Sequence, residues 1–169
     1  MGQTWKYKTM FAEFSDLLID TEIIAVDYDI TDTHESIFKE SKQLVSKFKP
    51  DYLMGYCYGG FVCINCADHN IKGIILLDPS AKVKSVDPTH EDVISKNTNL
   101  SKPIPKTPLD KVACKVDIIY TTEGLNGSGM QIQYIRNKQI HTIGDSTHMI
   151  MIEPNRYELA NKILEIMNA

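Results

Sequence analysis

The chain predicts an α/β fold: a mostly parallel sheet with helices on both faces. Three observations carry that prediction. Short apolar runs alternate with longer segments whose apolar residues recur at helical spacing. Those runs are apolar on both sides, as strands covered by helices on two faces must be. No internal repeat or low-complexity tract interrupts the alternation over 169 residues, so a single domain spanning residues 1–169 is expected.

The elements follow in order. Thr9 to Leu18 reads as a helix with Met10, Phe11, Phe14, Leu17 and Leu18 on one face. Ile23 to Val26 reads as a buried strand. Thr33 to Phe48 reads as a second helix, with Ile37, Phe38, Leu44, Val45 and Phe48 on its apolar side and Pro50 after its end. Asp51 to Tyr56 is the next strand and Gly59 to Asp68 the helix after it. Ile71 to Leu77 is a further apolar strand. Residues 79–110 are polar and carry Pro79, Pro88, Pro103, Pro105 and Pro108, which suits a short lid or loop insertion with a small helix at Glu91 to Lys96. Val116 to Tyr120 is a strand, residues 124–129 a glycine-rich loop, Met130 to Asn137 a short helix, and Gln139 to Ile143 the last strand. Asn155 to Met167 closes the chain as an amphipathic helix behind Pro154.

Composition narrows the function classes. A net charge of −4 with scattered lysines gives no electrostatic case for nucleic acid or an anionic membrane. No apolar run approaches the roughly 20 residues of a membrane span. The amino-terminal residues, Met1 to Lys6, lack the apolar core of a signal peptide. Cys57, Cys63 and Cys66 crowd into one turn and helix, and Cys114 precedes a strand, so the four cysteines are expected reduced and the protein cytoplasmic. Cys63-x-x-Cys66 has no second cysteine or histidine pair to complete four ligands; neither a metal nor another cofactor is expected.

The chemistry concentrates at Gly55-Tyr56-Cys57-Tyr58-Gly59-Gly60. An apolar run precedes it and an apolar helical segment follows. This is the strand–turn–helix nucleophile elbow, with cysteine where serine is usual. Glycine lets strand and helix approach closely around the apex. A thiol at a helix amino terminus is favoured as thiolate. Sites in such sheets lie outside the carboxyl ends of the strands. Asp78 stands at one such end and His148 just beyond another. Cys57…Asp78…His148 is the order nucleophile, acid, histidine. The imidazole would take and return the proton while the carboxylate holds its tautomer. Glu123, after the Val116–Tyr120 strand, is an alternative acid, and Asp145 is a lesser rival. Bland readings stand beside these: a buried small apolar residue for Cys57, a turn with Pro79 for Asp78, a loop histidine for His148.

With residues 74–78 (Ile-Ile-Leu-Leu-Asp) and 144–154 (Gly-Asp-Ser-Thr-His-Met-Ile-Met-Ile-Glu-Pro), the elbow resembles the α/β-hydrolase thioesterases of non-ribosomal peptide and polyketide synthases. That resemblance implies an α/β-hydrolase-like fold and an acid after the strand that follows the elbow helix, which favours Asp78. It also implies an acyl-thioester substrate carried on coenzyme A or a phosphopantetheinyl carrier protein. The elbow alone is also similar to dienelactone hydrolase, whose acid follows a later strand; that would favour Glu123 and a small ester or lactone. A hydrolase-like fold used only for binding is a third reading.

Two departures matter. Cysteine replaces the family's usual serine, and a thioester acyl-enzyme keeps more transfer potential than an ester. The family's amino-terminal strands are missing from the pattern, including the one between those matching Ile23–Val26 and Asp51–Tyr56. Either these two strands pair directly, or another segment or chain fills the gap, or the chain is shortened there. The Tyr58 N–H is expected to be one oxyanion donor. The second is expected from Gln3 or Gly2.

Overall fold

The computed structural model describes residues 11–26, 32–68, 70–79, 112–122, 135–144, 150–151 and 154–169. Helix α1, Ala12–Ser15, is a single turn. It is shorter than expected because the Ser15 hydroxyl donates to the Ala12 carbonyl at 2.7 Å, and the following amides make tighter bonds to carbonyls three residues back. Phe14 and Leu18 are nevertheless buried, as the periodicity required.

Helix α2, His34–Phe48, starts and stops where its signals stand. The Thr33 side chain accepts from the Ser36 amide at 3.1 Å, and Lys49 closes the helix in the left-handed conformation. Strand β1, Tyr52–Tyr56, leads to helix α3, Gly59–Cys66. Strands β2 (Gly73–Leu77), β3 (Lys115–Thr121) and β4 (Lys138–Ile143) follow, and helix α4, Arg156–Met167, ends the chain.

The four strands run parallel in the order β1-β2-β3-β4. Alternate residues of β2 and β3 enter two separate cores. Ile74, Leu76, Val116, Ile118 and Tyr120 pack with α2 and α3. Ile75, Leu77 and Ile119 pack with Phe14, Leu18 and the α4 residues Leu159, Ala160, Ile163 and Ile166. Helices therefore cover both faces, and all five residues of β2 are buried.

Two expectations are corrected. Residues 21–26 form no strand, and Ile24 is 44% exposed. A strand exists only as part of a ladder, and no described segment pairs with Ile23 to Val26. Of the helix expected at Met130 to Asn137, the described portion, residues 135–137, is not helical. Ile135 is instead buried in the core beneath β3 and the α2–α3 layer, and the Asn137 carbonyl accepts from the Val116 amide at 2.8 Å. Lid residues 80–110 and the loop 124–129 lie outside the described residues.

Candidate active site

Cys57 is the first residue beyond β1, and Asp78 is the first beyond β2. The parallel register pairs Tyr56 with Leu77, which brings the two residues to neighbouring strand ends. Each is hooked onto the next strand. The Cys57 amide donates to the Leu77 carbonyl at 3.0 Å, and the Asp78 amide donates to the Ile119 carbonyl at 2.8 Å.

Both residues have left-handed backbones, with φ 50° at Cys57 and 43° at Asp78. Neither is glycine, so each conformation costs on the order of 1–2 kcal/mol that surrounding contacts must offset. At Cys57 the offsetting contacts are visible. The chain reverses from strand into helix within one residue, since Tyr58 already has helical φ and ψ of −59° and −33°. The Gly60 amide donates to the Cys57 carbonyl at 3.2 Å. Tyr56 and Tyr58 project into opposite cores, Tyr56 toward the α4 side and Tyr58 toward α2.

Gly55 shows why the turn needs glycine. A Cβ there would strike the Gly59 carbonyl and lie 2.7 Å from the Gly60 nitrogen. Gly59 is different: a Cβ there meets nothing within 4 Å. The close approach inferred from the motif therefore rests on Gly55 and not on Gly59.

Burial, with Cys66 nearby, pushes the Cys63 thiol up to about 12. Burial pushes Cys66 up to about 11 and Cys114 upward as well. These three are poor nucleophiles near neutral pH. Cys57 is half-buried at the apex of the turn. The Tyr56 phenol is driven above its ordinary range, first by burial and then by the proximity of Cys57 and Asp78, so it stays neutral. Asp78 itself is 2% exposed.

Tyr58 sits directly after Cys57, as the motif requires. Gln3, Glu123 and His148 lie outside the described residues, as do Gly2 and Asp145. The residues just after His148 are described: Ile150 and Met151 are buried in the same core cluster as Tyr56 and Leu77, against which Cys57 packs.

Sequence reasoning missed two histidine contacts. His34 Nδ1 lies 2.6 Å from the Tyr58 hydroxyl, beneath the elbow. His141, within β4, bonds the Asp117 carboxylate at 2.9 Å, and Lys115 reaches its other oxygen at 3.2 Å. These three residues, with Gln139 and Glu165, line a recess of about 90 Å³ beside the end of α4. An aspartate inside the otherwise apolar Val116–Tyr120 run was the available signal for the second contact. Among the described residues, no group of three or more His, Cys, Asp or Glu could hold a metal ion. No described helix is long and apolar enough to cross a membrane.

Known structures share this fold. A lipase-esterase related protein from Clostridium acetobutylicum ATCC 824 superposes with a TM-score of 0.66 at 12% identity, covering 92% of this chain and 88% of its own. A monoacylglycerol lipase from Paleococcus ferrophilus gives 0.65 at 13% identity, covering 96% and 90%. MenH from S. aureus gives 0.57 at 15% identity, covering 87% and 79%. The chain has the α/β-hydrolase fold. At these identities the likeness speaks for fold and not for substrate. No family model matches the sequence, and no curated protein matches it.

Proposed function

We propose that the protein is an acyl-transferring α/β-hydrolase that acts on acyl-thioesters through a covalent intermediate on Cys57. The observation that carries this reading is the strained left-handed Cys57 at the apex of the strand–helix turn, with Asp78, equally strained, at the neighbouring strand end. Backbone strain in a non-glycine residue persists where surrounding structure over-determines it, and such residues cluster at reactive sites. The esterase and lipase names of the similar folds agree with acyl chemistry in general. The thioester substrate, on coenzyme A or a carrier protein, comes from the resemblance to synthase thioesterases.

In this mechanism the Cys57 thiolate attacks the thioester carbonyl. The carbonyl oxygen becomes an oxyanion beside the Tyr58 N–H, with Gln3 as the second donor. The intermediate collapses, the carbon–sulfur bond to the carrier breaks, and His148 returns a proton to the leaving sulfur. Water or an acceptor amine, alcohol or thiol then attacks the Cys57 thioester, with His148 taking its proton, and the bond from the acyl carbon to Cys57 Sγ breaks to release the product and restore the thiolate. Asp78 orients and stabilises the imidazolium. The anchoring of Ile150 and Met151 in the cluster against which Cys57 packs supports His148 in this role.

Intact-mass measurement after incubation with a panel of acyl-thioesters tests the reading. A covalent acyl adduct is expected on the native protein and absent from Cys57→Ala. No adduct from any donor, with Cys57 alkylated no faster than Cys63, Cys66 and Cys114, would leave a hydrolase fold used for binding. Loss of acylation in Glu123→Gln but not in Asp78→Asn would reassign the acid and favour a small ester or lactone substrate. Unchanged partition between water and added acceptors in Cys57→Ser would remove the argument for transfer over hydrolysis.

A further inference from the structure

The residues flanking the apex are anchored on opposite sides of the sheet. On one side the Tyr56 ring meets Phe11 edge-on, with centroids 6.4 Å apart. On the other, the Tyr58 ring lies against His34, with centroids 5.4 Å apart, and its hydroxyl is 2.6 Å from His34 Nδ1. His34 is the first residue of α2 and stacks on Phe38 one turn later. Both partners of this hydrogen bond are 8% exposed.

The arrangement is costly for a purely structural contact. The other ring nitrogen of His34, Nε2, is buried and finds no hydrogen-bond partner among the described residues. A phenylalanine would fill the same space without burying an unsatisfied nitrogen. What the imidazole supplies is a directed bond to the side chain of the residue immediately after Cys57. Burial pushes the Tyr58 phenol up to about 12, so the hydroxyl keeps its proton. The bond thus ties a 15-residue helix to the side chain of the residue that closes the elbow.

We propose that His34 is a positioning residue. Through the Tyr58 hydroxyl it fixes the orientation of the Tyr58 peptide N–H toward the oxyanion formed at Cys57. This inference rests on the acyl-enzyme reading above. Loosening one oxyanion donor should weaken transition-state binding and leave ground-state binding alone.

The test uses Tyr58→Phe, His34→Phe, His34→Asn and the double variant His34→Phe/Tyr58→Phe in the full chain. With an acyl-thioester that acylates the native protein, Tyr58→Phe and His34→Phe should each lower kcat about tenfold or more, with KM nearly constant. The double variant should be no worse than either single one, because both remove the same bond. His34→Asn places an amide near the Nδ1 position and should recover most of the loss. Alkylation of Cys57 by iodoacetamide should not slow, since that reaction forms no oxyanion.

A native kcat in Tyr58→Phe would overturn the proposal. So would a fall in kcat matched by faster amide exchange throughout β3, which would mark general destabilisation. If the native protein accepts no acyl-thioester, the functional reading fails separately, and amide hydrogen exchange decides the role of this bond. Faster exchange at residues 58–60 in His34→Phe and Tyr58→Phe, with β3 unchanged, supports it; unchanged exchange at 58–60 overturns it.

Discussion

The two central strands of the described sheet each carry a buried aspartate, one within β3 and one just beyond β2, and the two are built differently. Asp117 is 1% exposed and lies within β3. Its two carboxylate oxygens are taken by Lys115 and His141, and no left-handed backbone is involved. Asp78 is as deeply buried, but it lies just beyond β2, in a left-handed conformation, at the strand end next to that of Cys57, which has the same strain. Buried charge that is paired and unstrained is ordinary structure. A buried carboxyl in a strained backbone at a strand end, neighbouring a strained cysteine, is the arrangement that the proposed site would use. The difference teaches that a His–Asp pair is not by itself evidence of catalysis, since the close pair seen here lies away from the elbow.

Exchanging each aspartate for asparagine should separate the two regions most sharply. Asp78→Asn is expected to lower acylation of Cys57 by about a thousandfold or more, by analogy with the loss of a triad carboxylate, while the melting temperature moves little. Asp117→Asn should do the reverse. It should cost about 1–3 kcal/mol in urea unfolding, because His141 and Lys115 lose a buried acceptor charge, and leave the acylation rate unchanged. Equal effects of the two exchanges on acylation would break the comparison.

The next effect concerns the elbow's glycines. Gly55→Ala drives a methyl into backbone and should destabilise by about 3 kcal/mol or more, or prevent folding. Gly59→Ala faces open space in a helical conformation and should stay within about 1 kcal/mol of the native protein, on the stabilising side. Thermal melts of the two variants side by side provide the check.

The smallest effect is a pH dependence that belongs to the α3 side of the sheet. Unfolded thiols ionise near 9.0, whereas Cys63 and Cys66 in the fold do so at about 12 and about 11. Between those values the unfolded chain has lost protons that the folded chain still holds, so rising pH favours unfolding. The stability contributed by these buried thiols is complete below about pH 9 and is lost as pH climbs through 11 to 12. Urea titrations across that range should show the decline, and Cys63→Ala should flatten it. A slope unchanged by Cys63→Ala would place the titrating groups elsewhere, for instance at Tyr58, whose phenol is also raised.

Much of the fold was legible because its signals are local. Thr33, Lys49 and Pro50 bound α2 through side-chain and backbone geometry within a few residues. The elbow was legible for the same reason, since strand, strained apex and helix are contiguous from Tyr52 to Cys66. The placement of Asp78 beside Cys57 followed from parallel pairing of two apolar runs. Ile23 to Val26 misled because a buried apolar run becomes a strand only when a neighbour completes the ladder. The His34–Tyr58 and His141–Asp117 contacts each join residues 24 positions apart, and no periodicity encodes such a pairing.

The sequence by itself determined the fold class, the alternation of strand and helix, and the cysteine at a tight turn, all of which depend on neighbouring side chains and backbone preference. Tertiary structure decided which glycine the turn requires, which aspartate is strained and which is merely paired, and that a histidine from α2 bonds the side chain of the residue after Cys57. Those depend on which surfaces meet, and packing sets them through contacts remote along the chain.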